Sequence, residues 1–127
     1  MSGNRRKILV FGNALVEMDS LALAVAKSIH SDSFEFLECD SAENLEQFGK
    51  DLIILDVADG IRSVCLVDDI SKLETFHAYS LHDFDLTMTL KLLKKIGKIR
   101  SVKIIAIPIG YSKEKAISEV KTLLDSI

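Results

Sequence analysis

The sequence predicts an α/β fold: a three-layer, doubly wound, mostly parallel five-stranded sheet flanked by helices. Three observations predict it. Short apolar runs alternate with longer segments whose apolar residues recur at helical spacing, which is the pattern of successive βαβ units. One run, Asp51-Leu-Ile-Ile-Leu-Asp56, is apolar on both faces, as a central parallel strand covered by helices must be. The 127 residues fit a single domain over 1–127. At that size a chain hides roughly two-thirds of its unfolded surface, enough for a core without staples.

Lys7 to Phe11 is a short apolar run that stops at Gly12-Asn13, a strand followed by a turn. Leu21, Val25, Ser28 and Ile29 then recur at helical spacing and predict a first helix from about Met18 to His30. Phe34 to Cys39 reads as the second strand, and Ser41 ahead of Asn44, Leu45 and Phe48 as the cap of a short helix. Asp51 to Asp56 is the strongest strand, and Ser63 to Val67 a further short one. Leu86, Leu90, Leu93 and Ile96 predict a helix over 86–96, with Asp83 or Asp85 as its cap. Val102 to Ile109 is the last strand and Lys113 to Ile127 an amphipathic closing helix.

Several functions are excluded early. A net charge of −3 gives no electrostatic grip on nucleic acid. The cluster Lys91, Lys94, Lys95, Lys98 and Arg100 falls where a helix should end, so it either complements the helix dipole or forms a docking patch for a partner. Cys39 and Cys65 lie far apart without C-x-x-C spacing, which suggests buried thiols. No apolar stretch reaches the roughly 18 residues a membrane span needs, so no membrane insertion is expected. The run Ile8 to Phe11 is too short for a signal segment, and a soluble, cytoplasmic protein is expected. The loop after the first strand has Gly12 alone where a dinucleotide fingerprint would place three glycines, and no phosphate loop is present.

In doubly wound sheets ligands bind beyond the carboxyl ends of the strands, where strand order reverses. Three segments fall there. The first holds Glu17 and Asp19 at a helix start, where acids either offset the helix dipole or hold a cation. The second is Asp56, closing an apolar strand, where a carboxylate calls for a cation, a donor or a proton unless it caps the turn near Asp59-Gly60. The third is Ala78 to Asp85, in which His82, with His77 as its nearest competitor, is poorly explained by core packing. Two carboxylates and an imidazole at one sheet edge would suit a borderline divalent metal with open positions.

Gly12-Asn13-x-Leu15-x-x-x-Asp19, then Ile53-Ile54-Leu55-Asp56, then Ser80-x-His82 before a long helix resembles the hydrogenase maturation endopeptidases. The likeness extends to the closing strand with Pro108 and the final helix, so it spans nearly the whole chain. In that family a G-N-x-L-x-x-D-[DE]-G-x-G stretch enters the first helix. The second acid of its pair, an aspartate after the third strand and a histidine before the fourth helix bind nickel. Carried over, these are Asp19, Asp56 and His82. The resemblance implies a cytoplasmic endopeptidase that removes the C-terminal tail of a nickel–iron hydrogenase large-subunit precursor. Nickel would arrive with the substrate as a recognition element, with cadmium or zinc as surrogates. The resemblance names no attacking group.

The chain departs from the family pattern in two places. Met18 stands where the family has its first acid, with Glu17 one position earlier, and Ser20-Leu21-Ala22 replaces the G-x-G. These departures keep a catalytically silent binding module of the same fold open as an alternative. A receiver domain phosphorylated on Asp56 is the other, but Gly12-Asn13 replaces its acidic pair and Ile107-Pro108-Ile109 its lysine.

Overall fold

The computed structural model describes residues 5–11, 17–39, 45–68 and 81–127; of residues 17–19 and 81–87 it describes the backbone alone. Five strands and three helices follow one another as β1 (Arg6–Phe11), α1 (Glu17–Ser28), β2 (Phe34–Cys39), a short 3-10 helix (Leu45–Phe48), β3 (Asp51–Ala58), β4 (Cys65–Val67), α2 (Leu81–Lys95), β5 (Ser101–Pro108) and α3 (Lys113–Ser126). The strands form one sheet in the order β2-β1-β3-β5-β4. All neighbours are parallel except β4, which runs antiparallel along β5 at the edge. From β1 the chain steps outward to β2, then returns to lay β3 on the other side of β1. Strand order therefore reverses between β1 and β3.

Alternation along the strands sorts the core into two halves. Ile8, Val10, Ile53, Leu55 and Ile107 face α1 and α3, packing on Val25, Ala116 and Val120. Leu9, Phe11, Leu52, Ile54 and Ile104 face the other way, onto Leu45 and onto Leu90 and Leu93 of α2. Burial on both faces explains why β3 reads as one uninterrupted apolar run.

Local signals fix the helix ends. Ser112 caps α3 by accepting the Lys115 amide at 3.2 Å. At the end of α2 the Lys98 amide bonds the Leu93 carbonyl at 2.9 Å and the Gly97 amide the Lys94 carbonyl at 3.2 Å. That Schellman pattern requires a left-handed residue, and Gly97 supplies it at φ 80°. Lys94 and Lys95 occupy the last turn of α2, as expected of the basic cluster.

Several boundaries differ from the sequence reading. α1 ends at Ser28, two residues short of His30, although Ile29 stays buried. β3 does not close at Asp56 but runs to Ala58, because pairing with β5 continues through Ala58 and Pro108. β4 holds Cys65–Val67 alone, without Ser63 and Val64. α2 begins at Leu81, so Asp83 and Asp85 lie inside the helix and do not cap it. Acids in an opening turn suit the positive helix end, which lets the helix start ahead of the apolar repeat. Ser41, predicted as a cap, and Gly12 and Asn13 lie outside the described residues.

Two polar clusters tie the strand connections down. At the amino end of the sheet, Asp51 accepts from the Arg100 guanidinium and, at 2.7 Å, from the Ser101 hydroxyl. On the β3–β4 connection, the Val64 amide bonds one oxygen of Glu119 at 3.0 Å while the Tyr111 hydroxyl bonds the other at 2.7 Å. The Lys115 ammonium lies 4.9 Å from the centre of the Tyr111 ring. The Tyr111 hydrogen bond holds the Glu119 carboxyl below the usual range, and the same bond raises the Tyr111 phenol.

Three outcomes follow from these contacts. Leu93 is 8% exposed against the sheet, so Leu93→Ala should cost about 2–5 kcal/mol in chemical denaturation. Arg100 holds the Asp51 carboxyl at about 2 against an ordinary 3.8, so its stabilisation is complete above the ordinary value and fades as pH falls toward 2. Asp51→Asn should therefore flatten the acid limb of a stability-versus-pH curve and leave its neutral shape unchanged. Glu119→Ala should speed hydrogen exchange at the Val64 amide while the amides of β3 keep their protection.

Candidate functional site

The carboxyl ends of β1 and β3, where strand order reverses, form the place at which a doubly wound sheet opens to a ligand. Asp56 stands there. Among the described residues it is the one buried charged side chain, with 8% of its surface exposed. Its Oδ1 accepts the amide of Val57 at 2.8 Å. Asp56 does not serve the turn that follows: the Gly60 amide, in a residue at φ 86°, goes to Asp59 Oδ1 at 2.8 Å.

Strand register places Asp56 more finely. It pairs with Ala106 of β5, and Ala106 pairs with Cys65 of β4. On the other side Val10 pairs with Leu55, so the next residue of each strand brings Phe11 level with Asp56, and Phe11 pairs with Cys39. Cys39, Phe11, Asp56, Ala106 and Cys65 thus form one row across all five strands, on the face that packs against α2. At about 4.8 Å per strand, each thiol lies two strands, about 10 Å, from the carboxylate. The cysteines are half-buried thiols, less enclosed than the sequence suggested, and no disulfide joins them. Burial pushes the Cys65 thiol up, which keeps it protonated and a poor nucleophile.

Phe11 and Ala106 are almost fully buried on either side of Asp56. An ionised carboxylate so enclosed is costly unless charge or donors meet it. Such a group can ligate a cation, hold a proton for transfer, or orient a water. Those are the chemistries open to this edge.

Asp19 sits on the first turn of α1, directly after β1, and His82 on the first turn of α2, not in a loop as the sequence suggested. The side chains of Glu17, Asp19 and His82 lie outside the described residues, as do His77 and Ser80 altogether. Among the described residues no three His, Cys, Asp or Glu side chains cluster as a metal site. Sequence reasoning missed the alignment of both thiols with Asp56, which only strand register reveals. It also missed Tyr111 and Glu119, eight positions apart across a helix start, which no local motif marks.

No protein-family model matches the chain, and none of the curated proteins matches it by sequence. Solved structures do. The hydrogenase maturating endopeptidase HybD from E. coli superposes with a TM-score of 0.66 at 18% identity, over 95% of this chain and 93% of that one. The hydrogenase 3 maturation protease gives 0.63 at 18% identity, over 96% and 90%. A hydrogenase 2 maturation peptidase from a Thaumarchaeota archaeon gives 0.51 at 20% identity, over 96% and 97%. At such identities the likeness is one of fold, and it runs the length of both chains: this mostly parallel five-stranded sheet has the architecture of the hydrogenase maturation proteases.

Proposed function

We propose that the chain is an endopeptidase that removes the C-terminal tail of a nickel–iron hydrogenase large-subunit precursor, with Asp19, Asp56 and His82 gripping nickel that the precursor brings. The observation that carries this reading is Asp56: a buried carboxylate at the β1/β3 reversal of a sheet whose architecture maturation proteases share. Asp19 and His82 belong to the opening turns of the two helices that flank that sheet on opposite faces.

The chemistry of the donor set suits the task. Two carboxylates and one imidazole give a borderline divalent ion three ligands and leave positions open. Nickel already held by the substrate would fill those positions with the substrate's own ligands, so a loaded precursor binds and an empty one does not. On this reading the enclosure of Asp56 between Phe11 and Ala106 keeps water off the carboxylate and strengthens its pull on a cation. A catalytically silent binding module is the second reading, favoured by Met18, which removes the carboxylate that would share or orient a proton beside Asp19.

Two measurements decide. Nickel-loaded precursor incubated with the full chain should lose its tail by mass, while the empty precursor stays intact. His82→Ala and Asp56→Asn should stop cleavage. Cutting that ignores nickel, or survives His82→Ala, overturns the proposal; nickel-dependent binding without cutting establishes the silent module. Separately, nickel, cadmium or zinc at a hundred times its dissociation constant should stabilise the chain by about 2.7 kcal/mol. That shift should vanish in His82→Ala.

A further inference from the structure

We infer that the solvent face of α2 is a docking surface for an acidic amphipathic helix of a partner protein. Met88, Leu92 and Ile96 are 54%, 57% and 57% exposed, and they are the large exposed hydrophobics among the described residues. They fall four residues apart, so they form one ridge of about 12 Å along the helix. Leu90 and Leu93 hold the opposite face of α2 against the sheet, so the ridge takes no part in the core.

Charge says what covers it. Residues 91–100 contain Lys91, Lys94, Lys95, Lys98 and Arg100 and no carboxylate, in a chain whose net charge is −3. Arg100 is engaged by Asp51. Lys94, Lys95 and Lys98 are exposed. At 100° per residue Lys91 and Lys95 border the ridge on one side, and Thr89 borders it on the other. The surface is therefore a row of aliphatic side chains with cations along one flank.

Other occupants fit less well. A second copy laid ridge on ridge buries three side chains from each chain, far below the roughly 800 Å² per partner of a stable interface. A polyphosphate chain has no use for three aliphatic groups. A bilayer calls for cations on both rims of the apolar stripe, and here one rim is Thr89. A partner helix matches each feature: a ridge of its own at i and i+4 packs beside Met88, Leu92 and Ile96, and carboxylates on one flank meet the lysines. The inference needs no cleavage by the chain and stands apart from the peptidase reading. The same helix carries His82 at its far end, so a partner lying along α2 would extend toward the carboxyl edge of the sheet.

The test uses the full chain and a fluorescently labelled helical peptide on the order of 20 residues, with leucine on one face and glutamate on the others. Anisotropy should report binding that weakens as salt rises. Leu92→Glu should weaken it about tenfold or more. Lys94→Glu combined with Lys95→Glu should do likewise, and that variant should prefer a peptide carrying lysine for glutamate. Lys121→Glu makes the same kind of charge change on α3 and should leave binding unaltered. Ile96→Glu, at the end of the helix, provides a second reading should Leu92→Glu lower the melting temperature. Failure of the wild type to bind overturns the inference, as does undiminished binding by both ridge variants. So does tighter capture of anionic phospholipid vesicles or single-stranded RNA through these residues, or a dimer in sedimentation that Leu92→Glu dissolves.

Discussion

The double-sided burial of β3 is the constraint on which the rest of the structure depends. Leu52 to Val57 are all enclosed, with β1 on one side and β5 on the other. A strand hidden on both faces needs a helical layer over each, and α1 with α3 above and α2 with the 3-10 helix below provide them. That enclosure continues past the last aliphatic residue of the run and takes in Asp56. The carboxylate is therefore enclosed by the same pairing that makes the core, and its environment follows from the fold before any ligand is considered.

The parallel arrangement also polarises the molecule. Crossover helices run against the strands, so their negative carboxyl ends gather at the amino edge of the sheet. Cations answer them there. Lys27 lies in the last turn of α1, Lys94 and Lys95 in that of α2. α3 has no basic residue in its last turn, and the Arg6 guanidinium takes that role by donating to the Ile127 carbonyl at 3.0 Å. Arg6, Lys7 and Lys103 line a groove at this edge in which Asp51 is the one carboxylate, and it is held by Arg100 and Ser101. Part of the basic character of residues 91–100 is thus dipole compensation. The remainder, Lys98 and the lysines bordering the outer ridge of α2, exceeds what a helix end requires.

Elements were legible in the sequence where burial wrote them into it. β3, β5 and α3 carry apolar runs or helical repeats long enough to read directly, and their predicted cores lie where expected. Boundaries were legible only where a local group enforces them. Ser112 marks the start of α3, whereas the start of α2 rests on its tertiary setting and begins five residues before the predicted Leu86. At the site the sequence pointed to Asp56 through an anomaly, a charge ending an apolar strand. It could not show the row of Cys39, Phe11, Asp56, Ala106 and Cys65, because register between strands far apart in sequence is a property of the assembled sheet. Nor could it join Tyr111 and Glu119 to Val64, a contact that spans 55 positions.

Asp56 also weighs the two functional readings against each other. A buried charge flanked by Phe11 and Ala106 adds little to stability, and an apolar residue of similar size in its place would often serve a core better. Strand pairing does not need the carboxylate, since the β3–β5 ladder is made by backbone groups on both sides of it. The turn beyond does not need it, since Asp59 serves Gly60. What remains is a use for its charge at the sheet edge, and that use is shared by the peptidase and the silent module. Met18 separates them, because gripping a cation requires the carboxylates and imidazole that ligate it, whereas moving a proton beside Asp19 requires a second titratable group. Loss of that group at position 18 removes chemistry before it removes binding, so recognition of a metal-loaded partner is the more robust half of the proposed function.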